Sequence, residues 1–135
     1  MLRKIHHVGI VVRNLDDAYK FYRDTLGLHV HKEAVVEDQG VRAALLTIGN
    51  SEIELLEPIN QSGGVAKFLE RRGEGLHHIC YETNDVKAEL TAAKAKGIEL
   101  IDHVPRKGLA GMICFLHPRA NCGVLTEYAQ PFDEQ

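Results

Sequence analysis

Two histidine pairs stand at the start of apolar runs, in the stretches IHHVGIVV and LHHICYET. A glutamate follows late in each half of the chain, Glu54 in ELLEP and Glu127 in EYAQP. His78 follows His7 by 71 residues and Glu127 follows Glu54 by 73, so the spacing is nearly the same in both halves. Two imidazoles and two carboxylates would form an N2O2 metal site with positions left open for water or substrate.

An open site of this kind is typical of catalysis, because structural zinc sites are usually closed by four cysteine or histidine ligands. Neighbouring side chains of a strand point to opposite faces, so only one histidine of each pair can enter a shared cavity. The approximate symmetry allows either His6 with His77 or His7 with His78. Spacing alone leaves both combinations open.

The elements that must position these residues also repeat. Each histidine pair begins a predicted strand, and a predicted helix follows it, capped by Asn14 and ended by Gly27 in the first half and ended by Gly97 in the second. Helical spacing predicts the following core positions: Leu15, Ala18, Tyr19, Tyr22 and Leu26, then Val86, Leu90 and Ala93. The further predicted strands are Val30–Val36, Val41–Ile48, Glu52–Glu57, Leu100–Val104, Met112–Leu116 and Val124–Tyr128.

The halves therefore predict an α+β fold of two βαβββ modules in tandem, about residues 1–60 and 74–131. A linking helix is expected over about residues 62–72, with Val65, Phe68 and Leu69 buried. The 135 residues, 44% of them hydrophobic, can form one domain over 1–135 with its own core.

Composition excludes several classes of function. A net charge of -3 argues against a general nucleic-acid or membrane-surface binder, and the apolar runs are far shorter than a membrane helix requires. We therefore expect a cytoplasmic protein. Three cysteines without CxxC spacing indicate neither a disulfide framework nor a thiolate zinc site, so we interpret them as buried or half-buried thiols.

Four stretches together carry a resemblance to a known family: HHVGIVV, GNSEIELLEP, GEGLHHICYE and FLHPRANCGVLTEY. They resemble methylmalonyl-CoA epimerases of the vicinal oxygen chelate superfamily, which also contains glyoxalases and extradiol dioxygenases. The resemblance implies two βαβββ modules that form a curved mixed sheet around a metal, commonly in a homodimer. It also implies that the second histidine of each pair is a ligand, so the metal ligands would be His7, Glu54, His78 and Glu127.

The implied reaction interconverts 2R- and 2S-methylmalonyl-CoA through an enolate, with a divalent metal as Lewis acid. Co2+ is the first expectation, and Ni2+, Mn2+ or Zn2+ would also suit such ligands. Inversion requires proton transfer on both faces of C2. Glu127 is the catalytic candidate for one face, and Glu54 or an unidentified group for the other.

Two positions depart from the family pattern. Glu54 stands where some epimerases have glutamine, and Ala43 occupies the position of a glutamate taken to be a catalytic base in several of them. The chain cannot use that base, and a different substrate is the alternative explanation. Basic residues that could meet the phosphates of an acyl-CoA are Arg106, Lys107 and Arg119, although a solvated basic turn explains them equally well.

Other activities of the superfamily remain alternatives. A glyoxalase I-like lactoylglutathione lyase would use the same four ligands, whereas an extradiol dioxygenase needs only two histidines and one carboxylate. A metal-free binding protein would use the same fold as a cup, and such proteins generally lack these ligands. Glu33 and Glu37 are interpreted as surface charges and His117 as a turn residue, while His29, His31 and His103 have no symmetric partner and receive no role.

Overall fold

The computed structural model describes residues 1–133, so the last two residues of the predicted domain 1–135 lie outside the described residues. The chain divides into two compact units, residues 7–77 in one and residues 1–6 together with the chain from His78 onwards in the other. Both divisions fall inside a histidine pair.

The unit of residues 7–77 contains most of the first module. Its elements are β1 (Leu2–Val11, from His7 in this unit), α1 (Leu15–Tyr19), β2 (His29–Val36), β3 (Val41–Ile48), β4 (Ser51–Pro58) and α2 (Gly64–Arg72). The strands hydrogen-bond in the order β2-β3-β4-β1, with β1 parallel to β4 and the other pairs antiparallel. Helix α2 lies where the linking helix is predicted. Val65 is buried, as predicted, whereas Phe68 and Leu69 are only half-buried.

Helix α1 begins as predicted, because the Asn14 side chain accepts a hydrogen bond of 2.9 Å from the Asp17 amide. After Tyr19 the chain continues as a π-helical segment, Lys20–Thr25, closed by a hydrogen bond of 2.8 Å from the Leu26 amide to the Phe21 carbonyl. Leu26 is 50% exposed, so its predicted core position is wrong. The wider turn rotates this side chain away from the buried face that shorter helical spacing would give it.

The other unit holds the second module, with β5 (Gly75–Thr83, from His78 in this unit), α3 (Val86–Ala95), β6 (Arg106–Gly108), β7 (Gly111–Leu116) and β8 (Thr126–Gln130). Its strands follow the order β5-β8-β7-β6, with β5 parallel to β8 and the other pairs antiparallel. Helix α3 buries the three residues that periodicity predicted: Val86, Leu90 and Ala93.

The predicted strand Leu100–Val104 is wrong. Leu100 makes only an isolated bridge to Leu116, and Val104 is 70% exposed. The Asp102 carboxylate accepts a hydrogen bond of 2.8 Å from the Phe115 amide, the group that a strand carbonyl would otherwise pair. A side chain thus replaces the ladder, and pairing with β7 resumes only at Arg106.

No helix among residues 1–133 is long and apolar enough to cross a membrane.

Candidate functional site

The first candidate pair lies on two parallel strands of the unit 7–77. Gly9 on β1 is directly opposite Glu54 on β4. His7 precedes Gly9 by two residues, so the His7 side chain lies on the same face of the sheet as the Glu54 side chain. The His7 Nε2 atom lies 3.3 Å from the Glu54 Oε1 atom. His7 is fully buried and Glu54 is 5% exposed.

The second pair repeats this arrangement in the other unit. Cys80 on β5 is directly opposite Glu127 on the parallel strand β8, and His78 again stands two residues earlier. The distance from His78 Nε2 to Glu127 Oε1 is 3.0 Å, and both residues are at most 4% exposed. The same register therefore brings a histidine and a glutamate together in each module.

Both pairs lie on the sheet face opposite to the helix. Leu55, next to Glu54, packs into the core cluster that contains Leu15 and Tyr19 of α1. Tyr128, next to Glu127, packs against the cluster around α3. Because side chains alternate along a strand, each glutamate points away from the helix of its own module.

Spacing left open which histidine of each pair faces the glutamate of its module. The second histidine of each pair, His7 or His78, is the one that contacts the glutamate of its own unit. His77 is half-buried, and its ring lies 5.0 Å from that of Phe68 in an edge-to-face contact. His6 is buried, with 8% of its surface exposed.

A neutral imidazole nitrogen and a carboxylate oxygen, both buried, are donors that a divalent first-row metal accepts. Burying a carboxylate is costly unless opposite charge or hydrogen bonds compensate it. Each module therefore presents a cluster that fits a metal ion in donor type and burial.

Phe115 packs against the second pair, a contact that the sequence analysis did not predict. It lies on β7 directly opposite Glu127, and its ring is 5.6 Å from the His78 ring at an angle of 88°. The Arg106 guanidinium lies 5.7 Å from the centre of the Phe115 ring and donates a hydrogen bond of 3.0 Å to Asp102. Leu45 occupies the corresponding place opposite Glu54 in the first module. The edge-to-face contact with Phe115 restricts the orientation of the His78 ring.

A second imidazole–carboxylate contact lies beside the first pair and was also missed. His31 Nδ1 is 2.9 Å from Glu52 Oε2, with His31 44% exposed and Glu52 13% exposed. Glu52 precedes Glu54 by two residues on β4, which places both side chains on one face, and His7 is directly opposite Glu52. The sequence did not indicate the His31–Glu52 contact because His31 has no counterpart in the other half of the chain.

The position of the absent family base is apolar. Ala43 is 1% exposed and lies directly opposite Leu56 on β4 and Ala34 on β2. Glu33 accepts a hydrogen bond of 2.5 Å from the Tyr19 hydroxyl of α1 and pairs with Arg42, so it lies on the helix side of the sheet. Its part in this network explains its presence better than a role at the site does.

Two of the three cations proposed for acyl-CoA phosphates have acidic partners. Arg106 pairs with Asp102, and Arg119 pairs with Glu99 at 2.7 Å, which lowers the pKa of the Glu99 carboxyl. The Lys107 ammonium lies 5.6 Å from the centre of the Phe132 ring. His117 accepts a hydrogen bond of 3.0 Å from the Arg119 amide, as a turn residue would.

The cysteines divide into two classes. Cys80 and Cys114 are buried, and Cys122 is exposed. Burial raises the pKa of the Cys114 thiol to about 12. The expectation of buried or half-buried thiols is therefore confirmed for Cys80 and Cys114 and wrong for Cys122.

Residues 6–115 match the family described as the Glyoxalase/Bleomycin resistance protein/Dioxygenase superfamily. An ethylmalonyl-CoA/methylmalonyl-CoA epimerase of Cereibacter sphaeroides is 37% identical over 96% of this chain and 99% of its own. The mitochondrial methylmalonyl-CoA epimerase of Homo sapiens is 34% identical over 96% of this chain and 74% of its own. A solved variant of Streptomyces coelicolor methylmalonyl-CoA epimerase in complex with 2-nitronate-propionyl-CoA superposes with a TM-score of 0.95 at 41% identity, covering 98% of this chain and 100% of that one.

These matches confirm the α+β fold of two βαβββ modules and the family that the sequence resembled.

Proposed function

Because the chain belongs to the glyoxalase, bleomycin resistance protein and dioxygenase superfamily, we propose that it is a metal-dependent epimerase interconverting 2R- and 2S-methylmalonyl-CoA. The observation that carries the proposal is the His–Glu pair that both modules build with the same strand register. The similar epimerases support the substrate. A glyoxalase I-like lyase and a metal-free binding protein are not favoured, because the relatives are epimerases and both pairs are retained.

The proposed metal ligands are His7, Glu54, His78 and Glu127, with residues 1–135 acting as one functional domain. The internal symmetry supports this assignment, since each unit offers one buried imidazole nitrogen and one buried carboxylate oxygen. Co2+ is the first candidate, and Ni2+, Mn2+ and Zn2+ suit the same donors. A bound divalent ion would supply Lewis-acid stabilisation of the developing enolate oxygen.

The chain's own residues must then move the protons. Glu127 is proposed to remove or return the C2 proton on one face, and Glu54 is the first carboxylate candidate for the other. Burial of both glutamates and of both histidines keeps bulk water from their carboxylates and strengthens the electrostatic interactions there. The substrate is an acyl-CoA, and we further propose a cytoplasmic homodimer.

The first test is proton NMR of the cobalt-loaded protein with single-isomer methylmalonyl-CoA in D2O. We expect rapid, metal-dependent loss of the C2 proton signal. Glu127→Gln and Glu54→Gln should each lower the exchange rate by at least about 100-fold, the lower end for a general acid–base. Glu37→Gln, on an exposed turn, is the control for a change of charge.

Absence of exchange in a sample shown to hold cobalt would contradict the epimerase proposal. Loss of a hemithioacetal in the same sample would then favour the glyoxalase I-like alternative. Normal exchange in both glutamate variants would remove their catalytic roles.

A further inference from the structure

Phe115 of the second module is fixed through both polar groups of its backbone. Its amide donates a hydrogen bond of 2.8 Å to Asp102 Oδ2. Its carbonyl accepts hydrogen bonds of 3.0 Å and 3.2 Å from the Ile101 and Asp102 amides. On β8, the residue directly opposite Phe115 is Glu127. The position of Phe115 beside this glutamate is therefore set by hydrogen bonds as well as by packing.

The Asp102 carboxylate connects this backbone contact to the Phe115 ring. While Oδ2 accepts from the Phe115 amide, Oδ1 accepts a hydrogen bond of 3.0 Å from Arg106 Nε. The Arg106 guanidinium in turn lies 5.7 Å from the centre of the Phe115 ring, within the range of a cation–π interaction. Asp102, Arg106 and Phe115 thus form a closed triangle of contacts, the brace. The Asp102 and Arg106 side chains are only 15% and 30% exposed, so solvent screens their charges less than those of a surface pair.

The brace contacts His78 through the Phe115 ring. The two rings lie 5.6 Å apart at 88°, a favourable edge-to-face geometry. An imidazole has only a broad preference for its χ2 torsion, so its neighbours decide where Nε2 points. In His78 this atom lies 3.0 Å from Glu127 Oε1. The Phe115 ring thereby favours the orientation that directs Nε2 toward the carboxylate.

The brace is a property of the second module and not of the strand register that both modules share. The position opposite Glu54 in the first module holds Leu45, which offers no aromatic ring to a guanidinium or an imidazole. An aliphatic side chain therefore satisfies the packing at such a position. Regular pairing with β7 is also lost where Asp102 binds the Phe115 amide. Packing alone thus explains neither the ring nor its partners.

We infer that Asp102, Arg106 and Phe115 are positioning residues that hold the His78 imidazole in the orientation of a metal ligand. The inference rests on the proposed function, in which His78 binds a divalent ion. A ligand already held in its bound orientation loses less conformational freedom when the ion binds, so the brace raises the affinity for the metal. The three residues act on the ion through His78.

The test measures Co2+ binding to the full-length chain by equilibrium dialysis, and the hyperfine-shifted proton resonances of the ligand imidazoles at saturating cobalt. Phe115→Leu gives the second module the residue type that the first module has at this position. It should raise the Kd for Co2+ by about two- to tenfold, the range that an edge-to-face ring contact supports. The resonances of one imidazole should also move, because its ring is no longer held.

Two variants of Arg106 test the rest of the brace. Arg106→Met removes the cation from Asp102 and Phe115, and it should raise the Kd by less than Phe115→Leu does, because the ring remains. Arg106→Lys keeps a cation and should bring the Kd back toward that of the unmodified protein. Since Arg106 is partly exposed, these variants carry the test if Phe115→Leu does not fold.

The matched controls change similar side chains outside the brace. Ile113→Ala truncates a fully buried side chain on the same strand, opposite Ala129 rather than Glu127. It should lower the stability of the protein and leave the Kd and the imidazole resonances unchanged. Arg119→Met breaks the ion pair with Glu99 and should leave both unchanged as well.

Equal rises in Kd for Phe115→Leu and Ile113→Ala, with unmoved resonances, would show that Phe115 is only a core residue and would overturn the inference. Cobalt binding that neither Phe115→Leu nor Arg106→Met changes would also overturn it, while the proposed function would stand. If the unmodified protein binds no cobalt, the proposed function fails, and the inference fails with it.

Discussion

At the scale of the residue, a carboxylate as deeply buried as Glu54 or Glu127 lies where an isolated charge would be expensive. Each carboxylate directs an oxygen at an imidazole Nε2, and an imidazole is a ligand when neutral and a counter-charge when protonated. A protonated imidazole would offset the carboxylate charge directly, and a neutral one would do so through a metal ion that both residues bind. The cost explains why the histidine and the glutamate occur together in each half.

Thiol reactivity is a prediction at this scale. Cys122 should react with a disulfide reagent such as Ellman's within seconds to minutes, whereas Cys80 and Cys114 should react only as fast as the chain unfolds. The raised pKa of Cys114 keeps this thiol protonated at pH 8, and burial excludes the reagent from both. One thiol per chain should be titrated in the native state and three in denaturant. Cys122→Ser should abolish the fast phase, and persistence of that phase would contradict the assignment.

The histidines and glutamates of the two pairs could be predicted because their repeated spacing is visible in the sequence without any knowledge of the contacts. It could not choose between the two histidines of a pair, since alternation fixes only that they point to opposite faces. It also missed His31, whose position depends on a β-bulge that pairs residues far apart in the chain. Phe115 was missed for the same reason, because its relation to His78 arises from the order of the strands.

At the scale of the element, periodicity predicted the elements whose backbone hydrogen bonds are regular and failed where that bonding changes. Strand β3 has the predicted bounds, and α3 buries the predicted face. The strand predicted over Leu100–Val104 failed because Asp102 takes the Phe115 amide, and Leu26 failed because α1 continues as a π-helical segment. Apolar composition alone indicates neither event.

Glycine substitutions test how closely the backbones of β7 and β8 approach each other. Gly111 begins β7 at φ +133°, and a Cβ atom there would lie 2.1 Å from the Gln130 carbonyl oxygen at the end of β8. Gly111→Ala should therefore lower the free energy of unfolding by about 3 kcal/mol or more. Denaturant titration gives the value. A loss below about 1 kcal/mol would show that the β7–β8 contact is looser than the structure has it.

The matched control is Gly64→Ala at the start of α2, where a Cβ atom meets nothing within 4 Å. Alanine restricts the unfolded chain and suits a helix, so this variant should gain up to about 1 kcal/mol. The two variants make the same chemical change with opposite expected signs. A general intolerance of alanine at glycine positions would instead destabilise both.

At the scale of the whole molecule, duplication accounts for the fold and for the occurrence of two similar His–Glu pairs. One βαβββ module builds one His–Glu pair, and a pair provides only two of the ligands that a catalytic metal needs from protein. Two modules double the set while reusing the same register. The departures from symmetry, Phe115 against Leu45 and the His31–Glu52 contact, then distinguish the two halves chemically.

Metal stoichiometry tests whether the two pairs act as one site. If one ion takes ligands from both modules, the chain should bind a single Co2+, and His7→Ala or His78→Ala should each remove nearly all of it. Two independent sites would instead bind two ions per chain, and each variant would retain one. Metal content after gel filtration and native mass spectrometry measure this number directly. A shared ion should also stabilise the protein by about 2.7 kcal/mol at a free concentration 100 times its Kd, and either single substitution should abolish that increment, because removing one module's imidazole weakens the ion's hold on both.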